Sequence, residues 1–215
     1  MDHAVALVQA YLELNGYFTV AEFPVLTVLP AGGYASATDI DLLALRLCDA
    51  GGMAAAGADP NGPFEPDPEL GVPGRGVDLL LVEVKEGRAE LNRGAKDPRV
   101  LEAVLARFGL GPHDRLERSL RDLDRRGETV WPGGVHVRML AFGSVVDPQV
   151  VDGFRAISLT HVMRFLTDYI GQNWGQIRHA QIRHEAFGFL ALIEQVRRSD
   201  VGRRGGEGGG EPPAQ

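Results

Sequence analysis

Along the first 15 residues, apolar side chains return at helical spacing: Val5, Leu7, Val8, Tyr11 and Leu12. That period, with Gly16 as a stop, predicts a helix over 2–15. Residues 17–29 are instead rich in β-branched and aromatic side chains and predict a strand, with Pro24 marking an edge or a bulge. The segment PAGGYASAT, 30–38, reads as a turn or flexible loop. DIDLLALRL, 39–47, reads as a second strand. Residues 49–76 are rich in Gly and Pro with little apolar periodicity, which predicts a long irregular connection. The clearest strand is VDLLLVEVK, 77–85. It opens as a continuous apolar run and ends by alternating valine with charge, the pattern of a buried central strand whose far end reaches a polar site.

Beyond it, Asp97-Pro98 opens a helix to Phe108, since proline is well placed in a first helical turn, and Gly109 and Gly111 stop it. A highly charged helix follows over 114–126, then a strand over 134–142 and a short one over 155–159. Thr160 is read as the cap of a helix to Ile170, and 176–198 as a last long helix. From Gly202 the chain is too polar and glycine-rich to pack. These elements predict one domain over 1–200, a disordered tail over 201–215, and a mixed α/β fold with a sheet flanked by helices.

Composition narrows the function classes. No apolar run approaches the ~20 residues of a membrane-spanning helix. The N-terminus carries Asp2 and no basic leader segment, and Cys48 is the single cysteine. The expectation is a cytoplasmic protein without disulfides or cysteine-based zinc sites. A net charge of −7 argues against a protein that coats nucleic acid without specificity. The charge is uneven: residues 1–85 hold 12 acids against 3 bases, and residues 86–215 hold 17 against 19. Only two of the 22 basic residues are lysines, Lys85 and Lys96, so a lysine at a motif position is less readily attributed to chance.

The candidate chemistry is Asp41 on one strand and Glu83-Val84-Lys85 on the next. Residues i and i+2 of a strand share a face, so Glu83 projects with Lys85, and Asp39 with Asp41. If the strands are neighbours, carboxylates meet one ammonium. Mg²⁺, or Mn²⁺ in its place, takes oxygen ligands from one or two carboxylates and keeps other positions for water and phosphate. Asp41 and Glu83 are the candidate metal ligands, with the Val84 carbonyl as a third. Lys85 would orient the attacking water or neutralise the transition state of phosphodiester cleavage. Arg88, Arg93, Lys96 and Arg99 follow the strand closely and are the candidates for touching a DNA backbone.

This order resembles the PD-(D/E)XK nuclease superfamily, the restriction-endonuclease-like fold, over roughly the first 110 residues. It is most similar to small resolvase-like members: AYLELNGYFTV matches their opening helix, DIDLLAL their acidic second strand, and LLLVEVK their hydrophobic run into E-V-K. The resemblance implies an αβββαβ core around a mixed sheet, here with extra C-terminal helices, and a Mg²⁺-dependent DNA endonuclease. It also implies an acid on the first helix near the metal, for which Glu13 is the match. Glu13 and Asp39 are therefore second-tier members of the site. The early excess of acid suggests that DNA is received with help from a homodimer mate or a protein partner.

Two other readings stand beside it. A non-catalytic interaction module could retain the same fold, with E-x-K as a solvated charge pair. A nucleotidyltransferase would use GGYASATDIDL, although Tyr34 stands where a serine is wanted and too few residues separate Gly33 from Asp39 for a helix. Arg115, Arg118, Arg121, Arg125 and Arg126 are interleaved with Glu117, Asp122 and Asp124, the pattern of a salt-laced exposed helix. His179 and His184 are five apart, which does not make a helical zinc pair.

Overall fold

The computed structural model describes residues 2–48, 50–51, 65–111, 114–147 and 153–206, with side chains to residue 200. Helix α1 (His3–Leu14) is capped by the Asp2 carboxylate on the Ala4 amide. It leads to strands β1 (Phe18–Val28) and β2 (Tyr34–Arg46). The expected loop is thus shorter than its composition suggests: Tyr34–Thr38 already pairs with β1, and only the Leu29–Gly33 turn remains. After a single 3-10 turn at Pro68–Leu70 come β3 (Val77–Arg88) and α2 (Pro98–Arg107), the latter capped by Asp97. Helix α3 (Leu116–Arg126) turns at Gly127 into β4 (Glu128–Trp131), then β5 (Val135–Val145) and β6 (Arg155–Ser158). Strand β4 has too few residues to show a period, and no expectation covered it.

The chain closes with α4 (Leu159–Gln172), α5 (Trp174–Ile177) and α6 (Glu185–Gly206). Ser158, not Thr160, caps α4 through a bond from the His161 amide. The long final helix expected over 176–198 is in fact two, separated around His179–His184. The α6 backbone runs on to Gly206, into the stretch expected to be tail, and 207–215 lie outside the described residues.

The sheet is mixed and six-stranded, in the order β1-β2-β3-β5-β4, with β6 also on β5. Strands β1, β2 and β3 form an antiparallel meander, and β5 joins β3 in parallel after α2 and α3. Strands β4 and β6 share one side of β5: β4 pairs with Val135–Arg138 and β6 with Leu140–Gly143. The two abut at Gly127, whose φ of 67° and a would-be Cβ only 2.2 Å from the Gly153 carbonyl admit no side chain.

Each sheet face carries its own core. Leu42, Ala44, Leu80, Val82, Val84, Leu140 and Phe142 pack under α1, α4 and α6. Leu43, Leu79, Leu81, Val137 and Met139 pack under α2 and α3. This two-sided cover is why β3 reads as an unbroken apolar run rather than an alternation. Beneath α1 the Arg138 guanidinium bonds Asp78 at 2.6 and 2.9 Å and the Leu70 carbonyl at 2.8 Å, and Tyr17 donates to Asp78 at 2.5 Å. Among the described residues, no helix is long and apolar enough to cross a membrane.

Candidate active site

Strands β2 and β3 are paired from Arg46–Asp78 as far as Leu42–Val82 and then part. Beyond that rung β2 stays with β1, and β3 stays with β5 through Lys85–Gly143 and, after a register shift, Arg88–Val145. The fork opens where Asp41 stands. Ile40 packs into the α2-side core and Leu42 into the α1-side core, so strict alternation breaks at Asp41, opposite Glu22 with its φ of 52°. The rule that would set Asp39 beside Asp41 therefore does not apply here: Asp39 is exposed and pairs along the backbone with Pro24.

Asp41 spans the fork. Its Oδ2 accepts the Val84 amide at 2.7 Å, supplying the bond that β2's backbone no longer makes. In an extended strand the N–H and C=O of one residue leave on the same side, so the Val84 carbonyl also faces the fork. By alternation Glu83 lies on the face of Leu79 and Leu81, and Lys85 follows it. Lys85 Nζ donates to Glu83 Oε2 at 2.9 Å and lies 3.5 Å from Asp41 Oδ2. Asp41, Glu83, Val84 and Lys85, chosen from widely separated stretches of sequence, are brought to one point.

Glu83 is the unusual member. Its side chain is 3% exposed, and its Oε1 is buried with no hydrogen-bond partner. Burial pushes the carboxyl above its usual range; the Lys85 bond pulls it down, while the like charge of Asp41 pushes it up. Burial alone would lower the Lys85 ammonium. The bond to Glu83 and the charges of Glu83 and Asp41 outweigh it, so its pKa is raised and the group stays protonated. Lys85 is thus a fixed cation rather than a base. A buried carboxylate oxygen without a donor is what a hard cation would satisfy, and the donor set of two carboxylates and a carbonyl fits Mg²⁺ chemistry. Among the described residues no group of three or more His, Cys, Asp or Glu is arranged to hold a metal ion by itself.

The remaining candidates lie elsewhere. Glu13 is exposed and accepts bonds from Thr19 at 2.7 Å and Gln9 at 3.1 Å, at the α1–β1 contact. Arg88 pairs with Asp147 at 3.4 Å and Arg99 with its neighbour Asp97 at 3.0 Å, whereas Lys96 lies over the Phe154 ring. Arg93 is exposed, on a segment tied to β2 through a 3.3 Å bond from Asn92 to Thr38. Gly33 leads directly into β2 with no helix before Asp39.

A second buried polar cluster was not legible in sequence. Asp67 Oδ2 accepts from Tyr11 at 2.7 Å and contacts His161 Nε2 at 2.5 Å, and the Asp67 amide donates to Asn15 at 2.7 Å. Its members come from α1, the connection before β3 and α4, and no spacing links them. Compared with known proteins, the chain matches no family model, no curated protein and no solved structure.

Proposed function

We propose that this mixed α/β protein is a Mg²⁺-dependent phosphodiesterase acting on DNA, an endonuclease of the PD-(D/E)XK type, with its active site at the β2–β3 fork. The observation that carries the reading is the buried, unpartnered Glu83 Oε1 beside Asp41 and Lys85. The order of helix, three antiparallel strands, helices and parallel strand supports it.

Asp41, Glu83 and the Val84 carbonyl would hold Mg²⁺ or Mn²⁺. The bound ion would supply a water of lowered pKa and would stabilise negative charge developing on the phosphate. The chain's own contribution is positional. Asp41 is fixed by the Val84 amide, so its carboxylate needs no reordering. Lys85 stays charged and adds a cation at the reacting phosphate. Arg93 and Lys96 lie on the segment tied to β2 and would steady the backbone.

The test is incubation of plasmid and branched DNA with Mg²⁺ or Mn²⁺, wild type beside Lys85→Ala. Metal-dependent cleavage lost in the variant supports the reading; cleavage indifferent to Lys85 overturns it. A second reading, a non-catalytic module, is favoured by one observation: the Lys85 ammonium itself bridges the two carboxylates, the place a metal would take. That module shows no calorimetric uptake of Mg²⁺ or Mn²⁺ that depends on Asp41.

A further inference from the structure

We propose that the groove between α3 and the β4 edge holds the phosphate backbone of the DNA on which the fork acts; this rests on the nuclease reading above. The groove encloses about 580 Å³ and is lined by Arg115, Arg118, Arg126 and His136, with Ser119 and Thr129. Asp122 and Glu128 also line it. Arg126 and Glu128 are shared with an adjoining cleft that adds Arg125 and Arg155, so arginines outnumber acids along this edge of a chain whose net charge is −7.

The helix is salt-laced, as its sequence suggested, but loosely. Arg118 lies 3.8 Å from Asp122 and is 74% exposed, a pairing worth a few tenths of a kcal/mol. Arg126 makes no ion pair among the described residues. Arg118 and Arg126 are therefore open to exchange onto a phosphate. Arg138, at the floor, is committed to Asp78, Tyr17 and Leu70 and makes that floor rigid and locally neutral.

His136 is level with Asp78 along β3, and Glu83 is level with Ala141 along β5. Strand rise and interstrand spacing put groove and fork on the order of 20 Å apart. That is about six nucleotides of one DNA strand, at ~3.4 Å per nucleotide. The proposal requires one duplex to reach both. The fork selects the bond, and the groove holds the flanking backbone without reading sequence.

The test uses the full chain and a short labelled DNA duplex, in EDTA to prevent cleavage. Binding is followed by anisotropy across a salt series for wild type, Arg118→Gln/Arg126→Gln and the off-groove control Arg107→Gln. The proposal expects the double variant to lose about tenfold or more in affinity and the slope of log affinity against log salt to fall by about two. Melting temperature and Mg²⁺ uptake at the fork should be unchanged. Unaltered affinity and slope overturn it, as does an equal loss in Arg107→Gln, or binding of wild type to duplex RNA but not to DNA. Cleavage in Mg²⁺ is scored separately. Binding lost in the double variant, with no cleavage by wild type, sustains the groove and sinks the hydrolase. Cleavage with binding indifferent to these arginines does the reverse.

Discussion

Lys85→Met isolates the electrostatics of the fork. In the native protein Glu83 has one oxygen on the Lys85 ammonium and the other on nothing, with Asp41 as the other charge at the site. Removing the ammonium leaves a 3%-exposed carboxylate beside a like charge. Breaking a buried pair by deleting one partner costs about 3–5 kcal/mol. The lower end, about 3 kcal/mol, applies here because Lys85 is itself 35% exposed and water can enter where it stood. For a chain of this size that is a fall of roughly 6–12 °C in melting temperature. The assay is urea and thermal unfolding in EDTA, between pH 4 and 8. A carboxyl whose folded pKa is raised stabilises fully below its unfolded value, near 4.5, and loses that contribution as pH rises through the folded one. Without Lys85 the folded value rises further, so the deficit should widen upward from about pH 4.5 and close below it. Glu83→Gln/Lys85→Met should recover most of the loss, and Mg²⁺ should restore part of it in the single variant by replacing the missing cation. A Lys85→Met protein as stable as wild type at pH 7, or a deficit indifferent to pH, would refute the placement of Glu83 as a buried, underpaired ion.

Three further outcomes follow from the same physics. Asp41→Ala strands the buried Val84 amide and should cost about 1.5–3 kcal/mol, while Asp41→Asn keeps an acceptor oxygen and costs less than about 1; both should abolish calorimetric Mg²⁺ uptake, and uptake retained in Asp41→Asn would remove Asp41 from the metal site. Burial would raise Asp67, but bonds from His161, the Glu69 amide and Tyr11 hold it below its ordinary 3.8. Its stabilisation is therefore complete above that value and lost as pH falls through the folded pKa, so the stability gap between wild type and Asp67→Asn should close at acid pH; a gap constant from pH 7 to 2 would contradict this. Arg138→Met leaves Asp78 buried with Tyr17 as its one remaining side-chain donor among the described residues and should cost about 3–5 kcal/mol in urea unfolding, and a loss under about 1 would show the pair to be solvated.

Local sequence carried the elements whose signal is short in range. The apolar period of α1, the Asp97-Pro98 start of α2 and the unbroken run of β3 each answer to neighbours within a turn or a few rungs, and these elements lie where the period puts them. The order D…E-x-K was equally visible, because i and i+2 along β3 are fixed by the pleat. Tertiary structure decided the rest. Only the parting of β2 from β3 after Leu42–Val82 gives Asp41 the Val84 amide, and only the two covering cores bury Glu83 deeply enough to leave an oxygen unpartnered. The break in alternation at Asp41, opposite Glu22 with its positive φ, turned Asp39 away from a face that alternation had assigned it, since a break in pleat depends on the partner strand. The Asp78–Arg138 pair and the Asp67–His161 contact join residues 60 and 94 positions apart, and the arginine groove joins a helix to two strands. Desolvation and charge are sums over everything nearby in space, and a linear chain states only who is nearby in order.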